Sequence, residues 1–328
     1  MAAARLSLPS DGAATPPVTD IPPVVATHEL TRRFGDVVAV DAVDLVVQRG
    51  AVFGLLGPDG AGKSTLIRML ATVLLPDSGE ATVLGHSTTR EPGAITGRIG
   101  YMSQRFSMYP DLTVAENLDF FATVRGVPKK VRRERSAGLL DGMGLAEFSG
   151  RQARHLSGGM KQKLMLAATL MHEPELLLLD EPTTGVDPVS RREFWRVLAG
   201  LHRAGTTVIV ATPYMDEAER CSAIAFLDGG QIRQQGTPEE ITALVPGTLV
   251  EVSGADPRAA LALLADLPGL GSPHVFGEAV RVLWQGPVDS ATESITTHLQ
   301  AAGLPNVRVT PTRVDMETAF AVLAEAGR

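Results

Sequence analysis

Apolar residues follow two rhythms along this chain. From Val24 to Val47 they alternate with polar ones, which predicts two or three strands, with Arg32-Arg33-Phe34-Gly35-Asp36 as a turn between them. Val52 to Leu56 is an apolar, strand-like run, and Leu176 to Leu179 is an unbroken one of the kind expected for a parallel strand covered on both faces. Val208 to Ala211 reads as another buried strand, and further strand signals lie around Ala81 to Leu84 and from Ile99 to Gln104.

Helical patterns fill the intervals. Leu66 to Ala71 is a helical run. Between Phe106 and His155 the pattern turns helical, with Thr113-Val114-Ala115-Glu116 as a capping box and Val127 to Met143 carrying many charges at helical spacing. This stretch predicts a helical insertion between strands of the core. A helix follows Leu156-Ser157-Gly158-Gly159-Met160 to about Met171, Asp187-Pro188 caps one that stops near Gly205, and Thr237-Pro238-Glu239-Glu240 starts another with Pro at the first helical position. Strands alternating with helices give an α/β fold with a mainly parallel sheet.

Pro246-Gly247 marks a boundary. Beyond it the order is strand (Leu249 to Ser253), helix (Pro257 to Ala265), strands near Pro273 to Phe276 and Val280 to Trp284, helix (Ser290 to Ala302) and strand (Val307 to Thr310). That order resembles a ferredoxin-like βαββαβ unit, a small α+β domain over residues 246–328, with a last helix from Val314. It carries no catalytic pattern.

Composition narrows the function. The 328 residues suffice for one large and one small domain, and a net charge of -7 with pI near 5.6 argues against a nucleic-acid-binding surface as the main role. The single cysteine, Cys221, cannot form an internal disulfide and reads as a small buried hydrophobe; the 7 histidines have no metal-ligand spacing. Residues 1–23, rich in Ala, Pro, Ser and Thr, read as a disordered tail and not a signal peptide. No run approaches the ~20 apolar residues that span a bilayer, so a soluble chain is expected, with any membrane role exercised through a partner.

The candidate chemistry centres on Gly57-Pro58-Asp59-Gly60-Ala61-Gly62-Lys63-Ser64-Thr65, a Walker A phosphate-binding loop between an apolar strand and a helix. Gly57, Gly60 and Gly62 allow successive N–H groups to converge on an anion at the positive end of a helix. Lys63 would reach the β- and γ-phosphates of a nucleotide, and the Ser64 hydroxyl would sit on Mg²⁺.

This loop, Gln104, the Leu156-Ser157-Gly158-Gly159 segment, the apolar strand ending Asp180-Glu181 and the Asp187-Pro188 turn occur in an order that resembles an ABC-type ATP-binding subunit, from about Val24 to Val245. The resemblance implies a P-loop NTPase fold over residues 24–245, a mixed-sheet core with a helical subdomain at about 105–172, and ATP and Mg²⁺ as cofactors. It implies that Gly57, Asp59, Gly60, Ala61, Gly62, Lys63, Ser64 and Thr65 bind nucleotide, that Asp180, Ser64 and Gln104 serve Mg²⁺, and that Glu181 is the general base, with Gln104 touching the ion or the attacking water. Ser157, Gly158 and Gly159 would face the γ-phosphate on the P-loop of a second ATP-binding subunit, making a homodimer or heterodimer. Asp187 resembles a residue contacting across that interface, although helix capping explains it equally; Phe34 lies where the family stacks an aromatic on adenine.

Three departures stand out. Asp59 replaces the usual Asn, and Met160 the usual Gln. Pro213 occupies the place of a switch histidine that contacts the γ-phosphate; it is compatible with the first position of a helix capped by Thr212. The missing donor implies slow hydrolysis. The wording around the motifs, notably Tyr109 to Leu118 and Tyr214 to Ala218, looks like the ATPase subunits of ABC-2-type exporters, including drug-efflux systems. That implies transmembrane permease subunits as partners and a place on the cytoplasmic side of the plasma membrane. Two alternatives remain open: a soluble ABC ATPase acting on ribosomes or DNA, and an ATP clamp with little turnover.

Overall fold

The computed structural model describes residues 22–265, 267–271 and 273–326. The tail expected over residues 1–23 lies, except for its last two residues, outside the described residues.

In chain order the elements begin with β1 (Val25–Phe34), β2 (Val37–Val47), β3 (Val52–Leu56), α1 (Lys63–Leu70), β4 (Ser78–Val83), β5 (His86–Ser87), α2 (Pro92–Thr96) and β6 (Ile99–Met102). The inserted helices are α3 (Val114–Val124), α4 (Lys129–Gly142) and α5 (Gly158–Leu170). Then come β7 (Leu176–Asp180), α6 (Pro188–Arg203), β8 (Thr207–Thr212), α7 (Met215–Ala218), β9 (Ala223–Asp228) and β10 (Gln231–Gly236). The chain ends with α8 (Pro238–Ala243), β11 (Thr248–Ser253), α9 (Pro257–Leu264), β12 (His274–Phe276), β13 (Ala279–Trp284), α10 (Val288–Ala301), β14 (Arg308–Pro311) and α11 (Met316–Ala326).

Two sheets build the larger part. The central one runs β10-β9-β3-β8-β7-β6, parallel from β9 to β6, with β10 antiparallel at one edge. Every residue of β3, β7 and β8 is buried, as unbroken apolar runs require. The alternating strands go elsewhere: β2-β1-β4-β5 is a separate antiparallel sheet, in which Val43, Leu45 and Val47 are buried and Asp44 and Val46 exposed. Leu66, Ile67, Met69 and Leu70 of α1 join one apolar cluster with Leu30 and Leu45 of this sheet and Phe53, Leu178 and Ile209 of the central one.

The capping box at Thr113 is present. Thr113 Oγ1 accepts from the Glu116 N–H and the Thr113 N–H donates to Glu116 Oε2 at 2.8 Å. Fully buried Asn117 then ties the preceding loop to α3, donating to the carbonyls of Tyr109, Leu112 and Thr113 and accepting from the Tyr109 N–H.

The chain divides into two compact units at Pro238/Glu239, ahead of the expected Pro246-Gly247 turn. In the second unit the antiparallel order β12-β13-β11-β14 is that of the ferredoxin-like βαββαβ arrangement. Its core joins Val250 and Val282 of the sheet with Leu264, Ile295 and Leu299 of the helices.

Thr212 does not cap a helix starting at Pro213. It is the last residue of β8, paired with Leu56, and its Oγ1 accepts from the Tyr214 N–H at 3.1 Å. The chain needs Pro213 and Tyr214 to leave the sheet, so α7 starts at Met215, with Tyr214 at the N-cap.

Candidate functional site

The candidate phosphate-binding loop hangs from β3, between β8 and β9. Gly57 has φ +150° and Gly62 φ +105°, and a Cβ on either would lie 2.1 Å from a carbonyl oxygen, that of Leu227 or of Ala39. Glycine is therefore required by close approach at both positions. Gly60, at φ +81°, has open space around it and needs only the conformation. Ala61 is buried, Asp59 and Gly60 are exposed, and Thr65 is half-buried. Gly62 occupies the N-cap of α1, where its carbonyl accepts from the Leu66 N–H.

Lys63 is folded back onto this loop. Its Nζ donates to the carbonyls of Gly57 and Pro58, both at 2.8 Å, and the residue is 3% exposed. Burial lowers its pKa, opposed by the charges of Glu181, Asp59 and Asp180.

The end of β7 meets the loop there. Ser64 Oγ donates to Asp180 Oδ1 at 2.6 Å, while Asp180 Oδ2 is buried without a hydrogen-bond partner. Burial raises the Asp180 pKa, and the Ser64 hydrogen bond and the nearby Arg68 oppose the shift. Glu181 has φ +50°, rare for a residue with a Cβ, and its N–H donates to the Ala211 carbonyl of β8. Its Oε2 accepts from Gln104 Nε2 at 2.8 Å and from Thr184 Oγ1 at 3.1 Å, and its Oε1 lies 3.8 Å from Lys63 Nζ. Lys63, Ser64, Gln104, Asp180 and Glu181 thus converge. Thr184 is not among the residues the sequence points to; its only signal there is a hydroxyl three residues after a candidate base.

The remaining candidates stand apart from this cluster. Ser157 is exposed at the N-cap of α5, where Oγ accepts from the Met160 N–H at 3.3 Å. Gly158 is also exposed, whereas Gly159 is buried so closely that a Cβ would lie 2.5 Å from the Ser190 side chain. Asp187 caps α6 by accepting from the Ser190 N–H at 2.9 Å and the Val189 N–H at 3.1 Å, and the Ser190 N–H is the main cause of its lowered pKa. Phe34 is 48% exposed, with the Arg32 guanidinium 5.0 Å from its ring centroid. Among the described residues, no hydrogen bond or ion pair joins Phe34, Ser157, Gly158, Gly159 or Asp187 to Lys63, Asp180 or Glu181.

The donors fit a hard divalent cation: a hydroxyl, a carboxylate with one uncommitted buried oxygen, and an amide side chain, all oxygen-bearing and beside an anion-binding helix start. Among the described residues there is no cluster of three or more His, Cys, Asp or Glu suited to hold a metal by itself. The donor set therefore suits an ion held jointly with phosphate oxygens.

The ABC transporter family profile matches residues 40–184, which include the loop, Gln104, Ser157, Asp180 and Glu181. The daunorubicin resistance ATP-binding protein DrrA3 of Streptomyces coeruleorubidus is 38% identical over 293 residues, 88% of this chain and 92% of that protein. The chain belongs to the ATP-binding proteins of ABC transporters. A second relative of this ABC protein, the probable multidrug ABC transporter ATP-binding protein YbhF of Escherichia coli, is 41% identical over 301 residues, 90% of this chain and 51% of the relative. The chain thus spans about half of that relative's length. Among solved structures, the dimeric ATP-binding cassette MJ0796 in a post-hydrolysis state with ADP and Pi superposes with TM-score 0.60 at 26% identity, over 65% of this chain and 98% of that one. As in that cassette, the fold of this ABC protein is the α/β nucleotide-binding fold. No helix among its described residues is long and apolar enough to cross a membrane.

Proposed function

We propose that this ABC protein binds ATP with Mg²⁺ on the Gly57–Thr65 loop, hydrolyses it with Glu181 as general base, and drives an ABC-2-type exporter of drugs or other amphipathic molecules. The observation that carries this is the convergence of Lys63, Ser64, Asp180 and Glu181. The N–H groups of the loop and Lys63 hold the β- and γ-phosphates, and Lys63 exchanges its two carbonyl acceptors for phosphate oxygens. Glu181, with Oε2 fixed by Gln104 and Thr184, accepts the proton of a water that attacks the γ-phosphorus; the P–O bond to ADP breaks and phosphate leaves. Ser64 and Asp180, with Gln104 nearby, would hold Mg²⁺, which supplies charge neutralisation on the phosphates when bound. Phe34 stacks on adenine.

Ser157, Gly158 and Gly159 complete the site from a second ATP-binding subunit, a second copy of this chain or a close relative, and the exposure of Ser157 and Gly158 leaves that helix start available to a partner. Asp187 contacts across that interface. Exposed Tyr109, Phe120 and Val124 on the helical subdomain suit a segment of a transmembrane permease. In this reading the protein works at the cytoplasmic face of the plasma membrane. The domain limits that serve this reading are 24–245 for the ATP-binding domain and 246–328 for an accessory domain.

Pro213 favours a second reading, an ATP clamp with little turnover, since it offers no donor to the γ-phosphate. Action on ribosomes or DNA is disfavoured by the net charge of -7. Light scattering of a Glu181→Gln variant, with and without MgATP, tests the shared site: ATP should convert monomer to dimer, and a monomer at saturating ATP contradicts it. Copurification with transmembrane subunits from membranes tests the exporter assignment.

A further inference from the structure

Arg191 and Glu217 form a contact that neither nucleotide binding nor proton transfer uses. Glu217, on α7, is fully buried, and its Oε1 accepts from the hydroxyl of buried Thr183 at 2.7 Å. Thr183 is two residues after Glu181 in the same turn. Arg191 lies in the first turn of α6, where its N–H donates to the carbonyl of Asp187. Its side chain reaches the turn after β8 at three points. The guanidinium lies 4.0 Å from the Tyr214 ring centroid, Nη1 is 3.6 Å from Asp216 Oδ2, and Nε is 3.9 Å from Glu217 Oε1.

The contact is incomplete. Arg191 Nε and Glu217 Oε2 are both buried and both lack a hydrogen bond, and a shift on the order of 1 Å would bring Nε within hydrogen-bond distance of Glu217 Oε1. A buried donor held just short of an acceptor favours the small movement that closes the gap. The elements that would move are the α6 start, which carries Asp187, and the turn that carries Pro213.

We propose that Arg191 and Glu217 are positioning residues for ATP hydrolysis: they clasp the Pro213-Tyr214 turn to the start of α6 and, through Thr183, hold Glu181 in line with the water it activates. The inference rests on Glu181 being the general base. The clasp supplies from within the fold the fixation that a histidine at position 213 would gain by touching phosphate. A base carried on a strained turn is sensitive to such support, because small misplacements lower rate without touching substrate affinity.

The test is steady-state ATP hydrolysis by the full chain, with KM and melting temperature measured in parallel. Arg191→Ala should lower kcat about tenfold with KM for ATP within about twofold of wild type. Thr183→Val should do the same, Thr183→Ser should restore wild-type kcat, and Arg191→Ala with Thr183→Val should be little worse than either alone. Wild-type kcat in Arg191→Ala, or losses that multiply in the double variant, overturns the clasp. Should Arg191→Ala fail to fold, Arg191→Lys decides: lowered kcat at wild-type melting temperature supports the clasp, and unchanged kcat overturns it. Glu181→Gln, assayed beside them, separates the two claims. Full activity there removes the base assignment, whereas its loss together with unaffected Arg191 and Thr183 variants removes only the clasp.

Discussion

Ser64 Oγ and Asp180 Oδ1, 116 residues apart in sequence, are joined by a 2.6 Å hydrogen bond. It ties the start of α1 to the end of β7, so the phosphate loop and the carboxylate strand form one unit. It also leaves Asp180 Oδ2 buried and uncommitted.

Asp180 carries a stability cost with a definite sign. Burial raises its folded pKa above that of the unfolded chain, so the folded state holds its proton more tightly, and stability falls as pH rises from the ordinary carboxylate value through the folded one. Above that window the full cost is present. Asp180→Asn removes it, and is expected to raise the melting temperature of the nucleotide-free protein at pH 7 by a few degrees while abolishing Mg²⁺-dependent ATP hydrolysis. Calorimetry and phosphate release check the two halves separately.

Gly62 is required by shape. A Cβ there would lie 2.1 Å from the Ala39 carbonyl oxygen, at a φ that side chains rarely adopt. Gly62→Ala should destabilise the fold by about 1–3 kcal/mol and weaken ATP binding, both read from thermal melts with and without ATP. Gly60→Ala, with open space around it, meets only the conformational part of that cost.

Cys221 is predicted to be inert in the native protein. It is buried, and burial pushes its thiol up to about 12. At pH 8 only about one molecule in 10⁴ carries the thiolate. A thiol reagent should label it slowly until denaturant is added; rapid native labelling contradicts the structure.

Pro213 predicts slow turnover. Pro213→His restores a donor in the turn after β8 and is expected to raise kcat, since one such donor is worth about 10²–10³ in rate where it is well placed. A kcat equal to wild type defeats the idea that position 213 limits this enzyme.

Much of this was legible in the sequence because it depends on local patterns. The unbroken apolar run before Asp180 and the glycines before Lys63 prescribe a buried strand and a tight turn into a helix, and both are present. The capping box at Thr113 and the cap at Asp187 are local hydrogen bonds and occur as expected. What escaped depends on partners distant in the chain. The β1 and β2 strands were anticipated, but their separation into a second sheet depends on pairing β1 with β4. Thr212 looks like a helix cap until its pairing with Leu56 is known, and Thr184 and Arg191 acquire their partners only once Glu181 and Glu217 are folded beside them.

Glu181 is the centre of the account, and phosphate release from MgATP by the wild type and by Glu181→Gln, at matched nucleotide occupancy, tests it most directly. The wild type should turn over slowly, and the variant should bind ATP as well yet release phosphate at least about 10²-fold more slowly. Equal rates in the two proteins, with ATP bound to both, contradict the account.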